Sequence, residues 1–333
     1  MKKIVSLALS LILVLSLFTL VGCGKKSDDN KTDAAETLKF GMGSYSYYDK
    51  ATNAEGETNG TGKYVTTVAA VLLDKDGKIV NAVIDAADNK VEYTSQGKAV
   101  APAEFKTKYE LGKDYGMSAY SPKEWFEQVD AFVATVKGKT ISEVKALVAD
   151  GGKGNSDVAS AGCTIAISDF VKALEKAVNN AKDSETTKDA KLNLGIVSSV
   201  SDSVDAADGV PGKIKVATTF VASAVAKDGK VIATSADALD VEFTFDTKGA
   251  SDVDTTAEMK TKYEKGKDYG MSAYSSKEWF EQADAFNKVC VGKNADEIAK
   301  LAATDGKAGD ALTSAGCTIN VADMVKAAVK AAK

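Results

Sequence analysis

Histidine is absent from the chain, and so is arginine. The first absence excludes an imidazole-based nucleophilic triad and imidazole ligation of haem or zinc. The second removes the planar fork that usually meets carboxylate or phosphate, so any anion bound here must find other donors. Cysteine is scarce: Cys23, Cys163, Cys290 and Cys317, with no CxxC pair and no metal-ligand spacing. Formal net charge is -5, and the lysines are interleaved with acids, which argues against nucleic acid as a partner.

Residues 1–22 read as an export signal: Met1-Lys2-Lys3, an apolar run over residues 4–20, then Leu20-Val21-Gly22-Cys23. The run is too short for a confident membrane span. Leu-Val-Gly-Cys has the lipobox pattern, in which cleavage precedes the cysteine and its thiol is acylated; Cys23 is then a lipid anchor rather than a structural thiol. Two or three acyl chains, at roughly 0.8 kcal/mol per buried methylene, hold a protein stably to a membrane. The expected location is the extracytoplasmic face of the cell membrane; a secreted form without the tether is the alternative. Residues 23–37 follow as a polar tether of mixed charge without aromatics, unable to bury a core.

The remaining length suits two domains of ordinary size, and a tandem repeat says the same. Residues 106–132 and 260–286 are identical at 24 of 27 positions. Residues 64–80 and 216–232 match at 7 of 17, at an offset of 152 rather than 154, so two residues were gained or lost between them. The expected domains are residues 38–183 and 190–333. Each reads as strands followed by helices, an α+β unit of a few antiparallel strands covered by helices. Residues 65–73 and 78–85 flank a turn containing Asp76-Gly77 and predict a hairpin, repeated around Asp228-Gly229. Ser121-Pro122-Lys123-Glu124 predicts a capping box with proline at the first helical position, followed by an apolar stripe of Trp125, Phe126, Val129, Phe132, Val133 and Val136. Shorter helices are expected after Thr140 and Asn294, and final helices along Phe170, Val171, Leu174, Ala177 and Val178 and along Met324, Val325, Ala328 and Val329.

The candidate site is a pentapeptide that occurs twice, Ser160-Ala161-Gly162-Cys163-Thr164 and Ser314-Ala315-Gly316-Cys317-Thr318. Hydroxyls, a glycine that lets a ligand approach the backbone, and N–H groups at a helix entrance would attract phosphate. The same small residues also suit a tightly packed crossing. Trp125 and Trp279, on apolar helical faces, read as core. Tyr115, Tyr120, Tyr269 and Tyr274, in loop-like sequence, are better placed to contact a ligand ring. Cys290 takes the place of Val136 on a buried stripe and reads as a small hydrophobe; burial is also the favoured reading of Cys163 and Cys317. The lysine pairs Lys75-Lys78 and Lys260-Lys262 read as solvated surface.

Thr164 with Gly162, Ser160 and Asp157 upstream, and Thr318 with Gly316 and Asp310, resemble the flavinylation signature of bacterial FMN-binding domains. In that signature an acid, a Ser or Thr, glycine and alanine precede the threonine or serine joined to FMN through its phosphate. Here alanine (Ala161, Ala315) stands before the glycine, cysteine after it, and the acid is out of register. The resemblance implies two bound FMN, attached to Thr164 and Thr318, with Ser160, Gly162, Cys163, Ser314, Gly316 and Cys317 around the attachment point. It also implies that Asp114, Tyr115, Gly116 and Met117, and Asp268, Tyr269, Gly270 and Met271, lie near the flavin ring. Lipobox, tether and two such domains together are similar to flavinylated lipoproteins of Gram-positive extracellular electron transfer. That likeness implies an electron carrier rather than an enzyme with its own substrate. It would be matured by an FMN transferase using FAD and magnesium, reduced by a membrane donor such as a quinol-linked redox protein, and oxidised by ferric iron or free flavin. The alternative is a cofactor-free solute-binding or surface interaction lipoprotein.

Overall fold

The computed structural model describes residues 37–333. The signal segment, Cys23 and the tether up to residue 36 lie outside the described residues. The first repeat contributes β1 (Leu38–Thr52), β2 (Gly60–Leu73), β3 (Ile79–Tyr93) and the short β4 (Ala99–Val100). Then come α1 (Lys108–Leu111), α2 (Trp125–Val136), α3 (Ile141–Lys145), α4 (Ser156–Ala161), α5 (Ser168–Asn179) and β5 (Lys182–Thr186). The second repeat contributes β6 (Lys191–Val204), β7 (Gly212–Val225) and β8 (Val231–Phe245), followed by α6 (Lys262–Lys265), α7 (Trp279–Cys290), α8 (Ala295–Ile298), α9 (Asp310–Ala315) and α10 (Ala322–Ala331). The fold is α+β, with two sheet-and-helix modules. The sheets are antiparallel, ordered β4-β3-β2-β1-β5 and β6-β7-β8.

The expected hairpins are present and longer than the sequence suggested, with Gly77 and Gly229 taking the left-handed conformation their turns require. Because β2 is buried on both faces, it reads as a nearly continuous apolar run. Ala69, Val71 and Leu73 meet the helices, while Val68, Ala70 and Leu72 meet the other sheet. β1 shows the same alternation: Leu38, Phe40 and Met42 point into the seam between sheets. Between them, Gly41 lies against α5, where a Cβ would stand 2.1 Å from the Ala177 carbonyl oxygen. Gly195 of β6 stands in the same relation to Ala327 of α10, at 2.0 Å. Each sheet is thus covered by its own helices on one face and by the partner sheet on the other.

The capping box of α2 is displaced from its expected place. Glu124 is the N-cap and pairs with Glu127, and α7 does the same with Glu278 and Glu281. Pro122 therefore lies outside the helix, and Ser121 is freed for another contact. The short helices expected after Thr140 and Asn294 are formed, each with a capping box, Thr140 with Glu143 and Asn294 with Glu297. The length difference between repeats falls after the third strand: β3 and β8 still correspond at 152, and α1 and α6 at 154.

Two partly buried aspartates tie β3 and β8 to the short helices. Asp85 Oδ1 accepts from Ala86 N at 2.7 Å and Tyr109 N at 3.3 Å, and Asp237 Oδ1 from Ala238 N at 2.7 Å and Tyr263 N at 3.1 Å. Burial pushes the Asp85 carboxyl up to about 6 and that of Asp237 up to about 7, against the pull of these bonds and of Thr107 and Thr261. The folded chain therefore holds these protons more tightly than the unfolded one, where such groups titrate near 3.8. Their contribution to stability is complete below about pH 4 and is lost as pH rises through about 6 to 7, on the order of 3 kcal/mol per group. Denaturant unfolding across that range should show the decline, and Asp85→Asn with Asp237→Asn should flatten it; an unchanged slope in the double variant would refute the assignment.

Candidate functional site

The pentapeptide closes a helix rather than opening one. Ser160 and Ala161 form the exposed last turn of α4, and Gly162 caps it in the left-handed conformation at φ 106°. Gly316 does the same for α9 at φ 94°. A glycine at this position reverses the chain and returns N–H groups to the final carbonyls. Accordingly, Gly162 N donates to Ala159 O at 3.0 Å and Cys163 N to Val158 O at 3.1 Å. Gly316 N donates to Thr313 O at 3.0 Å and Cys317 N to Leu312 O at 2.9 Å. α5 begins only at Ser168. The expected cradle of free N–H groups at a helix entrance is therefore not formed, because the glycine spends them on the helix before it.

Cys163, Cys290 and Cys317 are fully buried free thiols. Burial pushes Cys163 up to about 11 and Cys290 up to about 12, and raises Cys317 as well. They behave as small apolar side chains, in keeping with the favoured reading.

Thr164 and Thr318 are exposed, and each is held by a glutamine that sequence reasoning missed. Gln128, fully buried in α2, accepts from Thr164 N at 2.9 Å and from Thr164 Oγ1 at 3.0 Å. Its Nε2 donates to Ser121 Oγ at 2.8 Å, Lys123 O at 3.0 Å and Met117 Sδ at 3.4 Å. Gln282 repeats the pattern: Thr318 N at 2.8 Å, Thr318 Oγ1 at 3.2 Å, Ser275 Oγ at 3.0 Å and Met271 Sδ at 3.5 Å. A buried amide saturated in this way fixes everything bonded to it. The pentapeptide and the Tyr-Gly-Met loop, separate in the sequence, are thereby joined in space. A polar residue at a buried register of α2, identical in both copies, was the signal available in the sequence.

Asp114 and Asp268 are exposed on one-turn helices that end at Gly116 and Gly270, both left-handed. Tyr115 and Tyr269 are half-buried beside an ion pair. Lys108 Nζ lies 3.1 Å from Asp88 and 5.0 Å from the Tyr115 ring centre, and Lys262 Nζ 3.1 Å from Asp240 and 5.2 Å from that of Tyr269. The same ammonium groups face Trp125 and Trp279, which are core as read. Lys262 is thus not solvated surface: only 15% of its side chain is exposed, because the carboxylate and two rings enclose it. In the second repeat a cleft of about 710 Å³ opens over Asp268, Tyr269, Gly270, Met271 and Tyr274, with Lys215 and Asp240 on its wall. Tyr120 and Tyr274 are almost wholly exposed and, among the described residues, stack on no other ring.

Among the described residues, no group of three or more acidic or cysteine side chains could hold a metal ion, and no helix is long and apolar enough to cross a membrane. No protein-family model matches the chain, and no solved structure does. Over 130 residues the chain is 34% identical to a chlorophenol reductase of Desulfitobacterium hafniense, a stretch that makes up 34% of this chain and 38% of that protein.

Proposed function

We propose that the chain is a lipid-anchored extracytoplasmic electron carrier with one FMN joined to each of Thr164 and Thr318. The observation that carries this reading is the convergence, twice over, of an exposed threonine and the Tyr-Gly-Met loop on one buried glutamine. The fit to a phosphate-linked flavin rests on three features. The threonine hydroxyl is exposed, its proton is given to the glutamine so that its lone pairs are unused, and in the second repeat Met271, which Gln282 also bonds, lines the cleft over Tyr269. Bound FMN would supply the electron-transfer chemistry; the chain would supply attachment, orientation and tuning. Attachment would form a bond from threonine Oγ to phosphorus as the pyrophosphate of FAD breaks, with AMP leaving and the hydroxyl proton passing to water. The name of the partial relative describes reductive chemistry in that protein and is in keeping with a redox role here. Membrane anchoring through Cys23, a quinol-linked donor and acceptors such as ferric iron or free flavin complete the proposal.

Protein exported with its own FMN transferase should be yellow and should carry two additions of about 438 Da, the mass of FMN less water. A colourless chain of unmodified mass from such a strain would sink the flavin reading and leave a cofactor-free binding lipoprotein.

A further inference from the structure

Each pentapeptide glycine faces a lysine ammonium from the loop before the long helix. A Cβ on Gly162 would stand 2.3 Å from Lys123 Nζ, and one on Gly316 would stand 2.1 Å from Lys277 Nζ. The left-handed backbone at both positions favours glycine, and its missing side chain leaves the ammonium next to the turn. Among the described residues neither ammonium makes an ion pair. The charge of Lys277 is close enough to pull the Cys317 thiol downward against its burial. The backbone of each lysine is fixed by the same amide that fixes the threonine: Gln128 Nε2 bonds Lys123 O at 3.0 Å, and Gln282 Nε2 bonds Lys277 O at 3.4 Å. An unpaired ammonium, a glycine and an exposed hydroxyl therefore lie beside one another in both repeats of a chain that lacks arginine.

We propose that Lys123 and Lys277 are the phosphate-recognising cations of the two sites, each meeting the phosphate of the flavin nucleotide that is joined to the adjacent threonine. The proposal rests on the flavin reading above. It assigns to a side chain the work that the spent N–H groups of the pentapeptide do not do, since an ammonium is a compact charge suited to phosphate. The competing role is structural. A lysine at the end of α4 or α9 also complements the partial negative charge of the helix terminus. That role would affect stability and leave attachment untouched.

The test uses the full chain exported with its transferase, with the initial rate of attachment at each threonine read by intact mass and peptide mapping. Lys123→Gln should slow attachment at Thr164 by about tenfold or more, the scale of one charge-assisted hydrogen bond. Attachment at Thr318 in the same molecules should stay at the wild-type rate, which controls for folding and for the transferase. Lys277→Gln should give the reciprocal result, and Lys123→Arg should restore attachment at Thr164. Unchanged attachment at Thr164 in Lys123→Gln would overturn the proposal and leave the flavin reading intact; equal slowing at both threonines would also overturn it. A wild-type chain without flavin would remove both readings together.

Discussion

Thr164→Val and Thr318→Val should each remove one FMN-sized increment of mass, and the double variant should have none while remaining folded. Valine keeps the branched shape and deletes only the hydroxyl. Gln128 Oε1 then retains its bond from Thr164 N at 2.9 Å, and Gln282 Oε1 its bond from Thr318 N at 2.8 Å. Losing one of two bonds at an exposed position costs about 0.5–1.5 kcal/mol, too little to unfold a chain of this size. The two effects should be independent, because the sites share no side chain and sit on different modules. Cys163→Ala should keep both increments, since a buried thiol with a raised pKa offers no alternative point of attachment. Intact mass, visible absorption and a denaturant midpoint near that of wild type would together establish the assignment. Two increments surviving in either single variant would refute it.

The hairpins and the apolar stripes of α2, α5, α7 and α10 were legible because periodicity and turn chemistry agree in each. The first strand of each repeat was not recognised. In β1 the apolar alternation of Leu38, Phe40 and Met42 is present, but its other face is Gly41 and Gly43, which look like loop residues until a helix packs against them. The capping box was misplaced because Ser121 and Glu124 satisfy its spacing; in the folded chain Ser121 instead accepts from Gln128. The pentapeptide stood out in the sequence by its duplication, whereas its geometry was not legible. The helix it closes has only six residues, too short for a periodic signal. Gln128 and Gln282 carried no motif of their own; the threonines they hold lie 36 residues further along the chain, and only the fold brings them together.

Phe243→Ala should destabilise both modules together by about 3–5 kcal/mol. Phe243 belongs to β8 and is fully buried in the seam, edge-on to Tyr48 at 5.7 Å and tilted against Tyr64 at 6.3 Å, both from the other module. Around it, Tyr93 stacks on Phe245 at 4.7 Å, and the Tyr64 and Thr218 hydroxyls are hydrogen-bonded at 2.7 Å. The seam is also reciprocal. Ala54 N donates to Gly249 O at 2.9 Å and Ala206 N to Gly97 O at 2.7 Å, and Lys176 pairs with Glu264 as Lys330 pairs with Glu110. Such pairs, equivalent under the repeat, mark a pseudo-two-fold contact in which both modules bury the same face. Neither sheet can expose that face to water without losing Leu38, Phe40, Met42 and Phe220 from the same apolar cluster, so the modules should unfold in one transition. Trp125 and Trp279 provide one reporter in each module. In each single-tryptophan variant, fluorescence of the remaining module and far-ultraviolet circular dichroism of the whole chain should give coincident midpoints, and both should shift together on adding Phe243→Ala; a fluorescence midpoint separate from the dichroism midpoint within one variant would show that the modules melt independently. A seam that fails only as a unit holds Thr164 and Thr318 at a fixed separation, the condition under which two flavins on one chain could act as a relay rather than as two unconnected carriers.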